Sequence, residues 1–350
     1  MATQRRKLAA DTSDSPSLMR RVLYFLVFAL VILAIVGITA YAVWNDVNAQ
    51  YNAPRHEAKA VADGVSLDRF VTFEEDNVFP MAMSAAPDGG FYLSRFGDGT
   101  LYKVDAVGAL TKWASPGPVG AMQLAPDGSL YAIRYSEASH NAVGNLYHLI
   151  ADGKVEAMPA LPSASGLPLF SQLAVDPAGN VYITDPTGGQ IVVYRAGAAT
   201  SEILWAAANV NNKRPQVAGL AYDPVEKGLL VSDVDNGSIY RVGLDGKGDS
   251  LLYRQTGLDV RVISVDAEGN IFLLAWEGDG GILYLYRKDG TLQKIADQFR
   301  SPSALVLRED KAYVVNSDAP GMLKSNGLLQ PRSKPPFTVD VIDVKAVLGK

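Results

Sequence analysis

The chain has 350 residues, of which 48% are hydrophobic and 20% are charged, with 32 glycines and 19 prolines. This composition is typical of a globular protein with many strands and turns. The formal net charge of -5 lacks the basic surface that nucleic-acid binding requires, so we exclude nucleic acid as a partner. The absence of cysteine excludes disulfides and thiolate chemistry, and it permits export into an oxidising compartment.

The first predicted element is a transmembrane helix at residues 22–44. This segment contains no charged residue, and a helix of its length crosses a hydrocarbon core of roughly 30 Å. Arg20 and Arg21 end a basic N-terminal tail, and Asp46 follows the apolar run. The positive-inside rule therefore predicts a cytoplasmic tail at residues 1–21 and an exported remainder.

An alternative for this segment is a cleaved signal peptide, because Ala40-Tyr41-Ala42 resembles a cleavage site. The apolar run is longer than the h-region of a signal peptide, which favours a single-pass signal-anchor. Together with the absence of cysteine, such an anchor favours a bacterial inner membrane, with the C-terminal part in the periplasm or outside the cell. The polar, alanine-rich residues 45–64 are predicted to form a tether.

The rest of the chain is a repeat. Each copy has an apolar strand, a turn such as Asp-Gly, a second strand and a third strand. The equivalent second-strand positions are Tyr92, Tyr131, Tyr182, Leu230, Phe272 and Tyr313. Repeats of roughly 40 to 50 residues that contain only strands are typical of propeller blades. The sequence therefore predicts an all-β fold, a six-bladed β-propeller, over residues 65–350.

Closure of the predicted ring needs a strand from the N-terminal side. The sixth repeat provides two strands, then a segment rich in glycine, serine and proline, and one further strand at residues 337–344. One strand of that blade is missing. Residues 66–73, SLDRFVTF, have the pattern of an outer strand, so we expect them to pair beside 337–344.

Two segments, VAGLAYDPVEKGLLVSDVDNGSIYRV and LAVDPAGNVYITDPTGGQIVVYR, resemble the NHL-repeat propellers and the related gluconolactonase (senescence marker protein) and strictosidine-synthase-like families. The resemblance implies that a divalent cation such as Ca²⁺ is held in the central channel, as in the gluconolactonase-like enzymes. Asp233 matches the family's aspartate ligand. Ala218 and Ser171 stand where the family has asparagine, so the metal site is incomplete.

A ring of six positions follows from the repeat alignment, at the end of each second strand. These positions, which we call the rim, are Arg95, Arg134, Asp185, Asp233, Ala275 and Asn316. In one interpretation the charges pair and plug the channel, with Arg95 opposite Asp233, because buried charges must be neutralised. In the other, the arginines hold the carboxylate or phosphate of a small anionic ligand. Guanidinium groups nearby disfavour a bound metal cation.

Two insertions, at residues 135–145 and 317–336, are further candidates for binding, because long loops on a rigid scaffold commonly carry function. No catalytic set is recognised. The sequence therefore predicts a membrane-anchored, non-catalytic binding or scaffolding subunit without a cofactor, which docks on another membrane protein complex. The alternative is a gluconolactonase-like lactone or ester hydrolase that uses a divalent metal in the channel, with Asp233 as a ligand.

Overall fold

A computed structural model describes residues 17–52, 56–136, 144–150, 153–162, 170–209, 214–278, 280–318 and 333–350. The chain divides into two compact units, Met1–Ala53 and Pro54–Lys350. The first unit contains helix α1 (Leu18–Asn52). Within α1, Leu18–Asn45 has a mean hydropathy of 2.9 and is long and apolar enough to cross a membrane. A membrane anchor and a signal sequence both contain such a helix.

The second unit is built almost entirely of strands. In chain order its described elements are β1 (Lys59–Ala60), β2 (Ser66–Phe73), β3 (Pro80–Ala85), β4 (Phe91–Arg95), β5 (Thr100–Val104), β6 (Leu110–Ala114), β7 (Val119–Leu124), β8 (Leu130–Tyr135), β9 (Gly144–Leu149), β10 (Val155–Ala157), β11 (Leu173–Val175), β12 (Val181–Asp185), β13 (Gln190–Tyr194), β14 (Ser201–Ala206), β15 (Val217–Asp223), β16 (Gly228–Asp233), β17 (Ser238–Val242), β18 (Ser250–Arg254), β19 (Asp259–Val265), β20 (Ile271–Glu277), β21 (Gly280–Tyr286), β22 (Leu292–Arg300), β23 (Pro302–Arg308), β24 (Lys311–Asn316), β25 (Phe337–Asp343) and α2 (Lys345–Leu348).

These strands form six antiparallel sheets, which confirms the predicted six-bladed β-propeller. Blade one is β3–β6, blade two β7–β10, blade three β11–β14, blade four β15–β18 and blade five β19–β22. Blade six contains β23, β24, β25 and, at its outer edge, β2. The innermost strand of each blade contacts that of the next, and β23 of blade six contacts β3 of blade one, so the ring is closed.

The hydrophobic core is divided into six clusters, and each cluster fills the interface between two neighbouring blades. Successive residues of a strand point to opposite faces of its sheet. Thus Tyr182 packs towards blade four, whereas Ile183 packs towards blade two. Because both faces are covered, the middle strands have continuous buried runs, such as VYITD in β12.

The first and last strands of the propeller pair with each other. β2 lies antiparallel beside β25, from Phe73 opposite Phe337 to Ser66 opposite Asp343. Val71 and Phe73 are buried in the cluster between blades six and one. The N-terminal strand therefore supplies both a hydrogen-bonded ladder and part of the core.

The segment predicted as a tether contributes to the propeller. Lys59 and Ala60 of β1 pair with Asp297 and Ala296 at the outer edge of blade five. The backbone N–H groups of the next two residues, Val61 and Ala62, donate to the carbonyl of Ile295, at 2.9 and 3.1 Å. A two-residue strand is too short to show an alternation of polar and apolar residues, so it could not be predicted from the sequence. From about residue 58 onward, this stretch is folded onto the propeller.

Closure by β2 can be tested with a single buried side chain. Phe73→Ala should lower the free energy of unfolding by about 3 to 5 kcal/mol, the usual cost of removing a buried phenylalanine. Chemical denaturation of the full chain in detergent measures this loss. Thr72→Ala, at the exposed neighbouring position, is the control and should change stability by less than about 0.5 kcal/mol. Equal stabilities of the two variants would contradict a structural role for β2 in closure.

Candidate functional site

The central channel contains a cavity of about 380 Å³, lined by the innermost strands of all six blades. These strands begin at one end of the channel, where the second strands of the blades end. We call that end the bulged mouth, because the pairing of first and second strands shifts register there. The shift is present in five blades, for example between Val119 and Ala121 and between Pro302 and Ala304.

At the bulged mouth, a side chain of each blade donates a hydrogen bond to a backbone carbonyl of the next blade. The acceptor carbonyl lies in the innermost strand or shortly before that strand begins. We call these the seam bonds. They are Ser94 Oγ to Val119 O (2.9 Å), Tyr135 Oη to Phe170 O, Thr184 Oγ1 to Ala218 O (2.8 Å), Ser232 Oγ to Val260 O (2.7 Å), Trp276 Nε1 to Pro302 O (2.8 Å) and Ser303 Oγ to Met81 O (2.6 Å). All six interfaces between blades are therefore joined at this end.

In three blades the donor of the seam bond also accepts a hydrogen bond within its own blade. The hydroxyls of Ser94, Thr184 and Ser232 accept from the backbone N–H groups of Ala82, Gln172 and Gly219, at 2.8, 3.1 and 2.7 Å. Each hydroxyl thus satisfies two backbone groups, one in its own blade and one in the next. These residues were not found from the sequence, although each directly precedes a rim position.

The double role of Ser232 predicts a large effect for a small substitution. Ser232→Ala leaves a buried N–H and a buried carbonyl without partners, at about 1 to 3 kcal/mol for each unsatisfied group. We expect a loss of roughly 2 to 4 kcal/mol in the free energy of unfolding, measured by chemical denaturation. Ser250→Ala, at an exposed position of β18, is the matched control. If both variants were as stable as the wild type, the seam bonds would have no structural importance.

One side chain crosses the channel at the bulged mouth. Gln172 of blade three donates from Nε2 to the carbonyl of Ser303 in blade six, at 3.3 Å. Blades three and six face each other in a ring of six. Both residues also line the cavity, so a side chain partly closes the channel at this end.

The structure places the predicted rim residues at equivalent positions of the bulged mouth. In five blades, strand pairing sets the rim residue opposite the start of the inner strand, as for Arg95 with Pro80 and Asp233 with Val217. In blade three, Asp185 is likewise the last residue of the second strand. The rim side chains therefore stand one strand away from the channel.

The two rim aspartates are buried and accept hydrogen bonds within their own blades. Asp185 accepts from the Thr187 hydroxyl at 2.7 Å and from the backbone N–H of Gly188 at 3.0 Å. Asp233 accepts from the backbone N–H of Asp235 at 3.1 Å and from Asn236 Nδ2 at 2.6 Å. These bonds fix the turns between second and third strands.

Arg95 also makes its contacts near its own blade. Its guanidinium lies 3.0 Å from Asp98 and 3.6 Å from Glu75, and its side chain is 12% exposed. Cζ lies 5.6 Å from the centre of the Phe73 ring. Within the part of the chain that the structure describes, Arg95 and Asp233 are thus engaged by different partners, and the structure does not join them in one charge network.

Arg134, the rim residue of blade two, has a different environment. Its Cζ lies 4.9 Å from the centre of the Tyr147 ring. Its Nε is buried and has no hydrogen-bond partner among the residues that the structure describes. The fifth rim position, Ala275, is buried in the apolar cluster between blades four and five.

Asn316, the rim residue of blade six, links two blades. Its Oδ1 accepts from the backbone N–H of Arg300 at the end of β22, at 2.8 Å. Its Nδ2 donates to Asp340 Oδ2 at 2.7 Å and to Thr338 Oγ1 at 3.0 Å. Arg300 forms an ion pair with Asp318 at 3.2 Å, with both side chains nearly buried. Except for Asn316, the members of this network were not found from the sequence.

Asp340 should make stability depend on pH. Burial raises the pKa of Asp340 above its ordinary value, although the Asn316 hydrogen bond and Arg300 act to lower it. The native state therefore holds this proton more tightly than the unfolded state, and stability falls as pH rises from about 4 through the raised pKa. Asp340→Asn removes this loss while retaining an acceptor for Asn316.

The measurement is the difference in melting temperature between Asp340→Asn and the wild type as a function of pH. The variant should gain stability relative to the wild type as pH rises from about 4 to 7. Asp68→Asn, an exposed carboxylate of the adjacent β2, controls for the change in net charge. A pH-independent difference for Asp340→Asn would show that this carboxyl has the same pKa in both states.

The divalent cation that the resemblance implies does not fit the described residues in the channel. Both oxygens of Asp233 accept hydrogen bonds from their own turn, and the Ser171 hydroxyl is bonded to Thr184 at 3.0 Å. Among the described residues, no group of three His, Cys, Asp or Glu side chains could hold a metal ion. A hard cation such as Ca²⁺ requires six or more oxygen ligands, which these described side chains do not supply.

The two insertions proposed as binding loops lie largely outside the described residues. Of residues 135–145 the structure describes 135–136 and 144–145, and of residues 317–336 it describes 317–318 and 333–336. The described ends belong to the bulged mouth. Ser333 Oγ donates to the carbonyl of Asp318 at 3.1 Å, and Arg300 donates to the carbonyl of Pro336 at 3.1 Å.

No family model and no curated protein matches the sequence. Solved structures match it in fold. A gluconolactonase from Xanthomonas campestris is 12% identical, with a TM-score of 0.57 over 83% of this chain and 99% of that one. A catalytically inactive virginiamycin B lyase from Staphylococcus aureus, solved with quinupristin, is 9% identical, with a TM-score of 0.55 over 80% and 99%.

A third match is the PQQ-bound aldose sugar dehydrogenase from Streptomyces coelicolor, at 14% identity and a TM-score of 0.54 over 83% of this chain and 100% of that chain. These three proteins have different activities. At such low identities the likeness establishes the architecture alone, because one scaffold carries many unrelated functions.

Proposed function

We propose that this chain is a membrane-anchored β-propeller that acts as a non-catalytic binding or scaffolding subunit and docks on another membrane protein complex. The main support is the use of polar side chains at the bulged mouth. Neighbouring blades are joined by hydrogen bonds from Ser94, Thr184 and Ser232. The turns after two second strands are stabilised by hydrogen bonds to Asp185 and Asp233. A catalytic acid, base or nucleophile must exchange partners during a reaction. Side chains that maintain the ring are not free to do so.

In this proposal α1 is the anchor and the propeller lies on the exported side of a bacterial inner membrane. The supporting observations are the apolar length of Leu18–Asn45 and the basic residues that precede it, such as Arg20 and Arg21. The positive-inside rule keeps such residues in the cytoplasm.

Protease protection tests the orientation. Protease added to intact spheroplasts should digest the propeller and leave a short, membrane-embedded fragment that carries an N-terminal tag. Protection of the propeller would contradict an exported location. If the mature protein instead began near Ala42, N-terminal sequencing would show that the helix is a cleaved signal peptide.

The second candidate is a lactone or ester hydrolase that uses a divalent metal in the channel. It is favoured by the fold likeness to a gluconolactonase and to virginiamycin B lyase. It ranks second because Asp233, the residue that matches a family ligand, directs both oxygens to its own turn.

An activity and assembly experiment separates the two candidates. The full chain, purified in detergent, is assayed for hydrolysis of glucono-δ-lactone with added Ca²⁺, Mn²⁺ or Zn²⁺ and after chelation. The mass of any crosslinked complex that contains the chain is measured in native membranes. The binding proposal predicts no metal-dependent turnover and a specific crosslinked complex larger than the monomer. Turnover that requires a metal and is lost in Asp233→Asn would establish the hydrolase instead.

A further inference from the structure

Arg134 is unusual among the arginines of the propeller. Within the described residues, every other partly buried arginine donates to, or forms an ion pair with, an identified acceptor. The pairs are Arg95 with Asp98, Arg195 with Glu202, Arg241 with Asp223, Arg261 with Asp259, Arg287 with the Val347 carbonyl, Arg300 with Asp318 and Arg308 with the Gly90 carbonyl. For Arg134, no carboxylate within ion-pair distance and no hydrogen-bond acceptor is found in the described part of the chain.

An arginine in this position has an energetic cost. Its Nε, like those of Arg95, Arg241 and Arg261, is shielded from solvent and has no hydrogen-bond partner among the described residues, and an unsatisfied buried donor destabilises the native state. A buried polar group without a partner in a native protein is explained by stored strain, by a catalytic role, or by a water or ion from outside the chain. No group of the described chain neutralises Arg134, so an acceptor is expected from outside the described residues.

The surroundings of Arg134 hold its guanidinium in place. The Tyr147 ring lies 4.9 Å from Cζ, within the range of a cation–π contact. On the connection from blade one, Gly117 has a φ of +102°, and a Cβ atom there would lie 3.0 Å from Nε and 3.6 Å from Nη2. Glycine therefore leaves room for the guanidinium, and the aromatic ring limits its motion.

The charged rim residues on the two neighbouring blades, Arg95 and Asp185, are engaged by partners other than Arg134. On blade one, Arg95 is neutralised by Asp98 and Glu75. On blade three, Asp185 accepts hydrogen bonds from Thr187 and Gly188 of its own turn. Of the two rim arginines, Arg134 is therefore the one without an acceptor in the described part of the chain.

We propose that Arg134 is the anion-binding residue of the bulged mouth and that it holds an oxyanion, the carboxylate or phosphate group of a ligand. Two parallel N–H···O bonds from the guanidinium edge would provide both affinity and orientation. This inference rests on the proposed binding function and gives the chemical class of what is bound.

Calorimetric titration of the full chain in detergent tests the proposal, with sodium succinate and inorganic phosphate as separate probes at constant ionic strength. At least one of the two should bind the wild type. Arg134→Gln should weaken that binding by about tenfold or more, and Arg134→Lys should have an intermediate effect because it keeps the charge but loses the planar fork. The probe that binds more tightly identifies the carboxylate or the phosphate as the favoured group.

Two further variants control for indirect effects. Gly117→Ala should weaken binding by crowding the guanidinium, without removing the charge. Arg195→Gln removes one positive charge at an exposed pair with Glu202 and should leave binding unchanged. Without an anion, Arg134→Gln should melt close to the wild-type temperature, because the lost contact with the Tyr147 ring is offset by removal of the unsatisfied donor. Binding of neither probe to the wild type, or equal affinities for the wild type and Arg134→Gln, would overturn the proposal.

The outcome can be separated from the fate of the proposed function. Lactone hydrolysis is measured on the same purified preparations, and crosslinking is measured in native membranes. Turnover would reject the non-catalytic role, whereas the site at Arg134 is judged from the titrations with its variants alone.

Discussion

The architecture depends on the hydrogen bond that one backbone carbonyl of each blade accepts at the bulged mouth, at or near the start of the innermost strand. In five blades a bulge interrupts the ladder between first and second strands, and a buried carbonyl without a partner is costly. In all six interfaces the neighbouring blade supplies the donor, from Ser, Thr, Tyr or Trp side chains. The apolar clusters supply most of the stabilisation but are not directional. The seam bonds are directional, and they set the orientation and spacing of neighbouring blades at the end where the channel opens.

Much of the fold could be predicted from local signals. Turn residues and the regular recurrence of positions such as Tyr92 and Tyr131 define the blades, because each blade is made of sequential strands joined by short turns. The alignment also located the rim, since Arg95 and Asp233 occupy equivalent places in their sheets. It did not give the direction of their side chains. Rim residues belong to the second strand, so their nearest partners lie in adjacent turns and strands rather than across the channel.

Other features depend on contacts between distant parts of the chain. β1 is too short for a sequence pattern, and its pairing with β22 brings together residues 59 and 297. Gln172 resembles an ordinary strand residue until the ring sets it opposite Ser303. Asp340 follows the polar–apolar alternation of β25, which would place it in solvent, yet the interface between blades five and six buries it. Neither composition nor spacing carries information on these three arrangements.

The pairing of β2 with β25 has a consequence for the order of folding. Phe73 leaves the ribosome early, whereas its partner Phe337 is synthesised near the end of the chain. The seam bond between Ser303 and Met81 likewise spans 222 positions. Contacts of such high sequence separation form slowly. Until synthesis is nearly complete, β2 and blade six remain unpaired edges, and unpaired edges are sites where chains associate wrongly. Protection of this edge by a chaperone would therefore be needed most before the last blade is synthesised.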